Sequence, residues 1–247
     1  MGWKARREHP SVGTCASVLL AVLALMGVQA ASAGLAAGSG APLSKAQATA
    51  FANSVNLTAA DVPGFKVAPV HKEKSKTAAE KELGHELSRC VDAGFGKAIA
   101  NVESEEYELE TNSQQENVQS SVAVQPKSSL AAKELAVVRG SHARSCLSHY
   151  LNLAFKGPQF RGLTVGPVSI RHDTPPAPGT TGSFALHIAV TITADGIRVP
   201  IYFDLLGFVY GPARVTLETA GVAAPFPAAT EQRLFSLLLA RAKAHVV

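Results

Sequence analysis

"FALHIAVTITADGIRVPIYFDLL", Phe184 to Leu206, decides the fold. Every second residue of its first half is apolar: Phe184, Leu186, Ile188, Val190 and Ile192. A β-strand puts such residues on one face of a sheet. Asp195-Gly196 then separates two alternating runs, and this dipeptide suits a type I′ turn, whose two central residues both take positive φ. Ile197, Val199, Ile201, Phe203 and Leu205 resume the alternation. The stretch therefore reads as an antiparallel hairpin with Ala194 opposite Ile197, Ile192 opposite Val199 and Thr191 opposite Pro200. Thr191–Pro200 falls at a non-hydrogen-bonded position, where the missing proline N–H costs nothing in this ladder. The same register sets His187 opposite Asp204. The pair could be a base with its orienting carboxylate or a polar cross-strand contact. No nucleophile lies near either residue in the sequence, which favours the contact.

Further strands and helices follow on either side. Residues 213–219 (ARVTLET) supply another strand after Gly211-Pro212. A two-residue Tyr210-Gly211 turn would oppose Asp204 with Leu217, so a bulge near Gly207 or a longer loop is expected there. Phe160 to Arg171 is strand-like but broken by Gly166-Pro167. Glu103–Glu110 and Asn117–Gln125 alternate with period two and form a second hairpin. The row Glu106, Glu108, Glu110 reads as a solvated face, since one strand's carboxylates cannot surround a cation alone. Helices are expected from Lys45 to about Val55 with Ser44 as cap, Thr77 to Ala93, Ser129 to about Phe155 with a break at Gly140, and Thr230 to about His245 with Thr230 as cap. The fold class is thus α+β: an antiparallel sheet of about five or six strands packed by N-terminal, central and C-terminal helices.

The first residues bear on compartment. Lys4, Arg6 and Arg7 precede an apolar run, Val18 to Met26, and Ala31-Ser32-Ala33 fits the small-x-small pattern of a signal-peptidase site. The run is about half the roughly 20 residues that span a bilayer as a helix. Residues 1–33 read as a secretory signal cleaved after Ala33 or Ala30, 34–43 as a flexible leader and 44–247 as one extracytoplasmic domain. Cys15 precedes the apolar run, so lipidation is not expected. Of 23 Lys+Arg and 19 Asp+Glu, the signal holds Lys4, Arg6, Arg7 and Glu8, leaving 20 and 18. So small a surplus, with no clustered basic face, does not suit a nucleic-acid partner.

Two cysteines survive the signal, Cys90 and Cys146, and in an oxidising compartment they are expected to pair. The stretch Ser141–Tyr150 (SHARSCLSHY) offers His142, Cys146 and His149 as a metal-site alternative. His142 and His149 stand about 10.5 Å apart along a helix, too far to share one zinc ion with Cys146. A staple between two helices is the better reading, with no metal and no cofactor. Catalytic motifs are not found: there is no Gly-x-Ser-x-Gly, no His-Glu-x-x-His, and Asp92–Lys97 lacks the spacing of a phosphate loop.

Several phrases together resemble known envelope proteins: "LTAADVPGF" (57–65), Cys90, "SSVAVQ" (120–125), Cys146, "VPIYFDLLGFVYGPARVTLE" (199–218) and "EQRLFSLLLARAKAH" (231–245). They are similar to the extracytoplasmic sensor domains of actinobacterial PknH-type Ser/Thr kinases and to PsbP-like (LpqN-like) envelope proteins. The resemblance implies an antiparallel sheet packed by helices, one or two disulfides, and a non-enzymatic role in ligand binding, sensing or protein contact. An exported, sensor-like binding protein taking a small apolar ligand or an envelope protein is therefore expected. An exported hydrolase built on His187 and Asp204 is the alternative.

Overall fold

A computed structural model describes residues 43–69, 85–86, 89–90, 97–111, 114–157 and 160–245. Among them the chain is α+β, with four helices and one open antiparallel sheet. The strands are β1 (Lys66–Val67), β2 (Ala100–Glu103), β3 (Tyr107–Glu110), β4 (Gln115–Val124), β5 (Thr164–Val165), β6 (Ser169–Asp173), β7 (Gly182–Ala194), β8 (Ile197–Tyr210) and β9 (Ala213–Val222). The helices are α1 (Lys45–Val55), α2 (Ser128–Arg139), α3 (Ser141–Ala154) and α4 (Ala228–Ala244). The sheet runs β1-β3-β4-β9-β8-β7-β5, with β2 also on β4 and β6 also on β7.

Nine strands rather than five or six arise because two positions are split and Lys66–Val67 adds a short edge strand beside β3. β5 and β6 pair successive stretches of β7 on either side of Gly166-Pro167, the break read from sequence. β2 and β3 likewise share β4, with the break at residues 104–106, inside the stretch read as one strand. There the Ser104 N–H donates to Ser120 O while the Ser104 hydroxyl accepts from Ser120 N–H. A side chain thus replaces one backbone partner, and the chain kinks without orphaning the ladder.

The central hairpin has the expected register, with Thr191 on Pro200 and His187 on Asp204, and its turn residues Asp195 and Gly196 have φ of 51° and 81°. The β8–β9 hairpin corrects the expectation of a bulge. Its turn residues are Gly211 and Pro212, Tyr210 pairs with Ala213, and the ladder runs unbroken to Ile201–Val222, opposing Asp204 to Thr219. Gly207 is a regular ladder residue, and its missing side chain makes room for Phe184. A Cβ there would stand 2.5 Å from the Phe184 ring and 2.9 Å from Val215 O.

Each face of the sheet carries a core. On one face Leu135, Leu147, Tyr150 and Leu151 of α2 and α3 cover Leu186, Ile188, Val190, Ile201 and Phe203. On the other, Phe51 and Val55 of α1 and Leu234, Phe235 and Leu238 of α4 cover Val118, Val122, Phe208, Val215 and Leu217. Each such side chain contributes about 1.5–3 kcal/mol of hydrophobic burial.

Ser44 caps α1, as read, and does so in a capping box with Gln47. α4 differs: Pro227 is its N-cap, and Thr230 N–H bonds Pro227 O inside the first turn. Proline at the entrance wastes no helical donor. Near the other end of α4, Arg241 makes a two-pronged pair with Asp61 (Nη1–Oδ2 and Nη2–Oδ1, both 2.8 Å), tying the last helix to the exit of the first. The central helical region breaks at Gly140, as read. Of the helix expected over 77–93, only His85, Glu86, Arg89 and Cys90 lie within the described residues, and they are helical. The signal and, but for Leu43, the leader lie outside the described residues. No helix among the described residues is long and apolar enough to cross a membrane.

Candidate functional site

Three places gather chemically capable side chains, and the sequence had singled out two of them. The first is the cysteine pair. Cys90 and Cys146 form a disulfide with an S–S distance of 2.09 Å across a sequence separation of 56. His142 bonds the Cys90 carbonyl at 2.7 Å and lies 3.7 Å from Cys146 Sγ. The atoms that converge within 4.8 Å are therefore those of Cys90, His142 and Cys146, while His149 sits exposed on α3. With both sulfurs joined there is no thiolate to act as nucleophile or soft ligand.

The second place is the His187–Asp204 pair on the face covered by α4. His187 Nδ1 lies 2.5 Å from Asp204 Oδ1. The row continues onto β9, where Thr219 opposes Asp204 and donates its hydroxyl to Glu231 Oε1 of α4 at 2.7 Å. Burial pushes the Glu231 carboxyl up; the Thr219 bond and His187 lower it, and Asp204 raises it further. Among the described residues, His187 makes no other hydrogen bond, and no Ser or Thr hydroxyl is engaged by its ring. The row thus holds two side-chain hydrogen bonds on adjacent strands, and among the described residues no nucleophile is poised in it.

The third place was not anticipated, and it lies on the opposite face of the same strands. Strand alternation puts Asn117, Gln119 and Ser121 of β4 beside Arg214, Thr216 and Glu218 of β9, with Glu103 of β2 opposite Ser121. Asn117, 2% exposed, donates its Nδ2 to Glu106 Oε1 at 2.8 Å, and Gln119 donates its Nε2 to Ser104 O at 3.0 Å. A carboxylate and a carbonyl only accept, so these bonds fix the amide orientations. Among the described residues, four oxygens of this region are buried without a hydrogen-bond partner: Gln125 Oε1, Glu134 Oε2 and, on adjacent strands, the pair Asn117 Oδ1 and Glu218 Oε2. The pair belongs to diagonal neighbours of one ladder, whose backbones stand about 7–8 Å apart.

The electrostatics of this cluster set it apart. Burial, then the charge of Glu103, pushes the Glu218 carboxyl up to about 7; Arg214 opposes the shift and Glu106 adds to it. Arg214 is itself engaged by Glu134 of α2 (3.4 Å), whose other oxygen accepts from Gln125 at 2.6 Å. Burial raises the Glu134 carboxyl, and Arg214 and Gln125 pull it back. The neighbouring cation is thus held by one acid while the second acid is left without a hydrogen bond. Alternation within ARVTLET could have put Glu218 on the face away from Leu217 and Thr219. What it faces there depends on the β4–β9 pairing of segments about a hundred residues apart.

No protein-family model matches the chain, and no curated protein matches its sequence. Among solved structures, the extracellular domain of PknH from Mycobacterium tuberculosis is similar over 63% of this chain and 69% of that one. The TM-score is 0.34 and the identity 11%, a weak structural similarity to one of the two groups that the sequence resembles. The PsbP-like resemblance has no counterpart among family models or curated proteins.

Proposed function

We propose that the protein is an exported, non-enzymatic, sensor-like binding module of the cell envelope, and that the Asn117–Glu218 face of its sheet is the binding surface. The observation that supports this reading is the pair of buried, unpartnered oxygens on adjacent strands. A buried acceptor without a donor costs about 1–3 kcal/mol, a cost a ligand can relieve. The Cys90–Cys146 disulfide fits an extracytoplasmic location, since such bonds persist in oxidising compartments. The hydrolase alternative at His187 and Asp204 has less support: the pair is made, yet beside it lie a threonine and a helix carboxyl bonded to each other, and among the described residues no Ser or Thr hydroxyl is bonded to the His187 ring.

Native mass spectrometry of the secreted protein, run beside its Glu218→Gln variant, tests the reading. A retained small molecule that Glu218→Gln loses would support it. A retained apolar molecule or envelope protein that the variant keeps would move the binding surface elsewhere. Ester or peptide hydrolysis abolished by His187→Ala would replace the reading with the enzyme.

A further inference from the structure

The chemistry of the occupant follows from which valences the cluster leaves open. Both amide nitrogens that face it already donate a hydrogen bond, that of Asn117 to Glu106 and that of Gln119 to Ser104 O. The buried atoms beside them that have no partner at all are acceptors, Asn117 Oδ1 and Glu218 Oε2, with the exposed Glu103 carboxylate at the rim. A ligand that itself offers acceptors would gain nothing from Asn117 Oδ1 and would be repelled by the carboxylates. A group that only donates and carries positive charge satisfies all of them.

A small metal ion would also be donor-free and positive, but it needs ligand oxygens converging at about 2.0–2.6 Å. Among the described residues no three carboxylate or imidazole atoms of this cluster come within 4.8 Å of one another; the one such group is Cys90, His142 and Cys146. An ammonium group asks for less convergence, because its three N–H donors reach separate acceptors at about 2.8 Å. Its compact charge also suits one amide oxygen and one carboxylate from different strands better than a planar guanidinium fork, which wants both oxygens of one acid.

Resting on the reading of this face as a binding surface, the geometry points to a site for a primary ammonium group, with Asn117 Oδ1 and Glu218 Oε2 as its buried acceptors and Glu103 at the mouth. The occupied site pairs a desolvated ammonium with a desolvated carboxylate, so Glu218 gives up its proton as the ligand enters. The charged groups that face Glu218 are Glu103 of β2, Glu106 between β2 and β3, and Arg214 of β9, and none of them supplies that carboxylate with a hydrogen bond.

The test uses the full chain, labelled with ¹⁵N, and three probes of similar size: n-butylammonium, tetramethylammonium and n-butanol. Butylammonium is expected to shift the Asn117 side-chain amide and the backbone amides around Glu218. Tetramethylammonium, equally charged but without donors, should bind at least tenfold more weakly, and butanol should leave these signals unmoved. Glu218→Gln should weaken butylammonium at least tenfold, and calorimetry in two buffers of different ionisation heat should show proton release for the parent alone. Equal binding of tetramethylammonium, or butylammonium binding unchanged in Glu218→Gln, overturns the ammonium assignment. Butanol binding at these residues overturns the ammonium assignment while leaving the face a binding surface. If no probe, and no molecule retained in the mass-spectrometric experiment, perturbs β4 or β9, both readings fall.

Discussion

Glu218 and Thr219 are neighbours in sequence, yet strand geometry sends them to opposite faces, and their two environments could hardly differ more. Thr219 closes a row in which its hydroxyl serves the Glu231 carboxyl and its ladder partner Asp204 holds His187. Glu218 faces a cluster in which the nearby amide nitrogens donate to other groups and its own Oε2 has no donor. Both are polar groups in a sheet with cores on both sides. The difference teaches that buried polarity alone does not mark a site. What separates structural scaffolding from the proposed binding surface is whether the donors and acceptors balance.

If that contrast is sound, removing polarity should have opposite signs on the two faces, against the larger background of the covalent clamp. The largest effect belongs to the clamp. Cys146→Ser opens a disulfide that closes a separation of 56 residues, and in the chain-entropy view this costs about 4 kcal/mol. Denaturant unfolding of the variant beside the oxidised parent measures it. A loss well under about 1 kcal/mol would mean that α3 is held by its apolar face alone.

Glu218→Gln comes next, and it should stabilise. Below about pH 4.5 the carboxyl is protonated in both folded and unfolded chains, so parent and variant differ little. Between that pH and about 7 the unfolded chain releases its proton while the folded chain, hemmed in by burial and by Glu103, keeps it. The parent therefore loses stability across this window, by on the order of 3 kcal/mol in full, and the glutamine variant does not. Unfolding free energies at pH 4 and pH 8 are the measurement. A difference between parent and variant that does not grow with pH would show that Glu218 is not the strained acid described here. Gained stability with lost ammonium binding would be the usual exchange between a site's strain and its use.

How much of this contrast could be read from the residues depends on the distance over which each contact forms. The Asp195-Gly196 turn dictates the pairing beside it, so His187–Asp204 follows from counting. Cys90–Cys146 follows from there being two cysteines beyond the expected signal. Gly211-Pro212 marks the start of a strand in the sequence, but a two-residue Tyr210-Gly211 turn shifts the register and hides the Asp204–Thr219 pairing. The cluster at Glu218 needs β4 beside β9 and the kink at Ser104, both set by tertiary packing over about a hundred residues. Short edge strands such as Lys66–Val67 and Thr164–Val165 carry too few residues for a period to show. Thr230 looked like a cap because threonine favours that position, but Pro227 enters the helix first.

On the balanced face, Thr219→Val keeps the shape and removes the hydroxyl. Thr219 is almost fully buried, so the change strands Glu231 Oε1 without its donor. A loss of about 2 kcal/mol is expected, together with a further rise of the Glu231 carboxyl, which carbon-detected titration of that side chain would report. The opposite sign to Glu218→Gln is the point of the pair: the two substitutions touch adjacent residues of one strand. If both destabilise, the cluster around Glu218 is balanced in some other way and is no site.

Asp204→Asn should have the smallest effect and bears most directly on the enzyme alternative. An asparagine can still accept from His187 Nδ1–H, so the change removes a charge while keeping a neutral bond. Both side chains keep some exposure (24% and 15%), so water screens the lost attraction and the expected cost is about 1 kcal/mol or less. A catalytic carboxylate in this position would behave differently. It would hold the imidazole in one tautomer for proton transfer, and its neutralisation would cost orders of magnitude in turnover with little change in stability. Unfolding measurements on Asp204→Asn, joined to an esterase and peptidase screen of the parent, therefore separate a cross-strand contact from a base and its orienter. A small stability loss with no activity to lose leaves His187 and Asp204 as the balanced counterpart of the open cluster one residue away on β9.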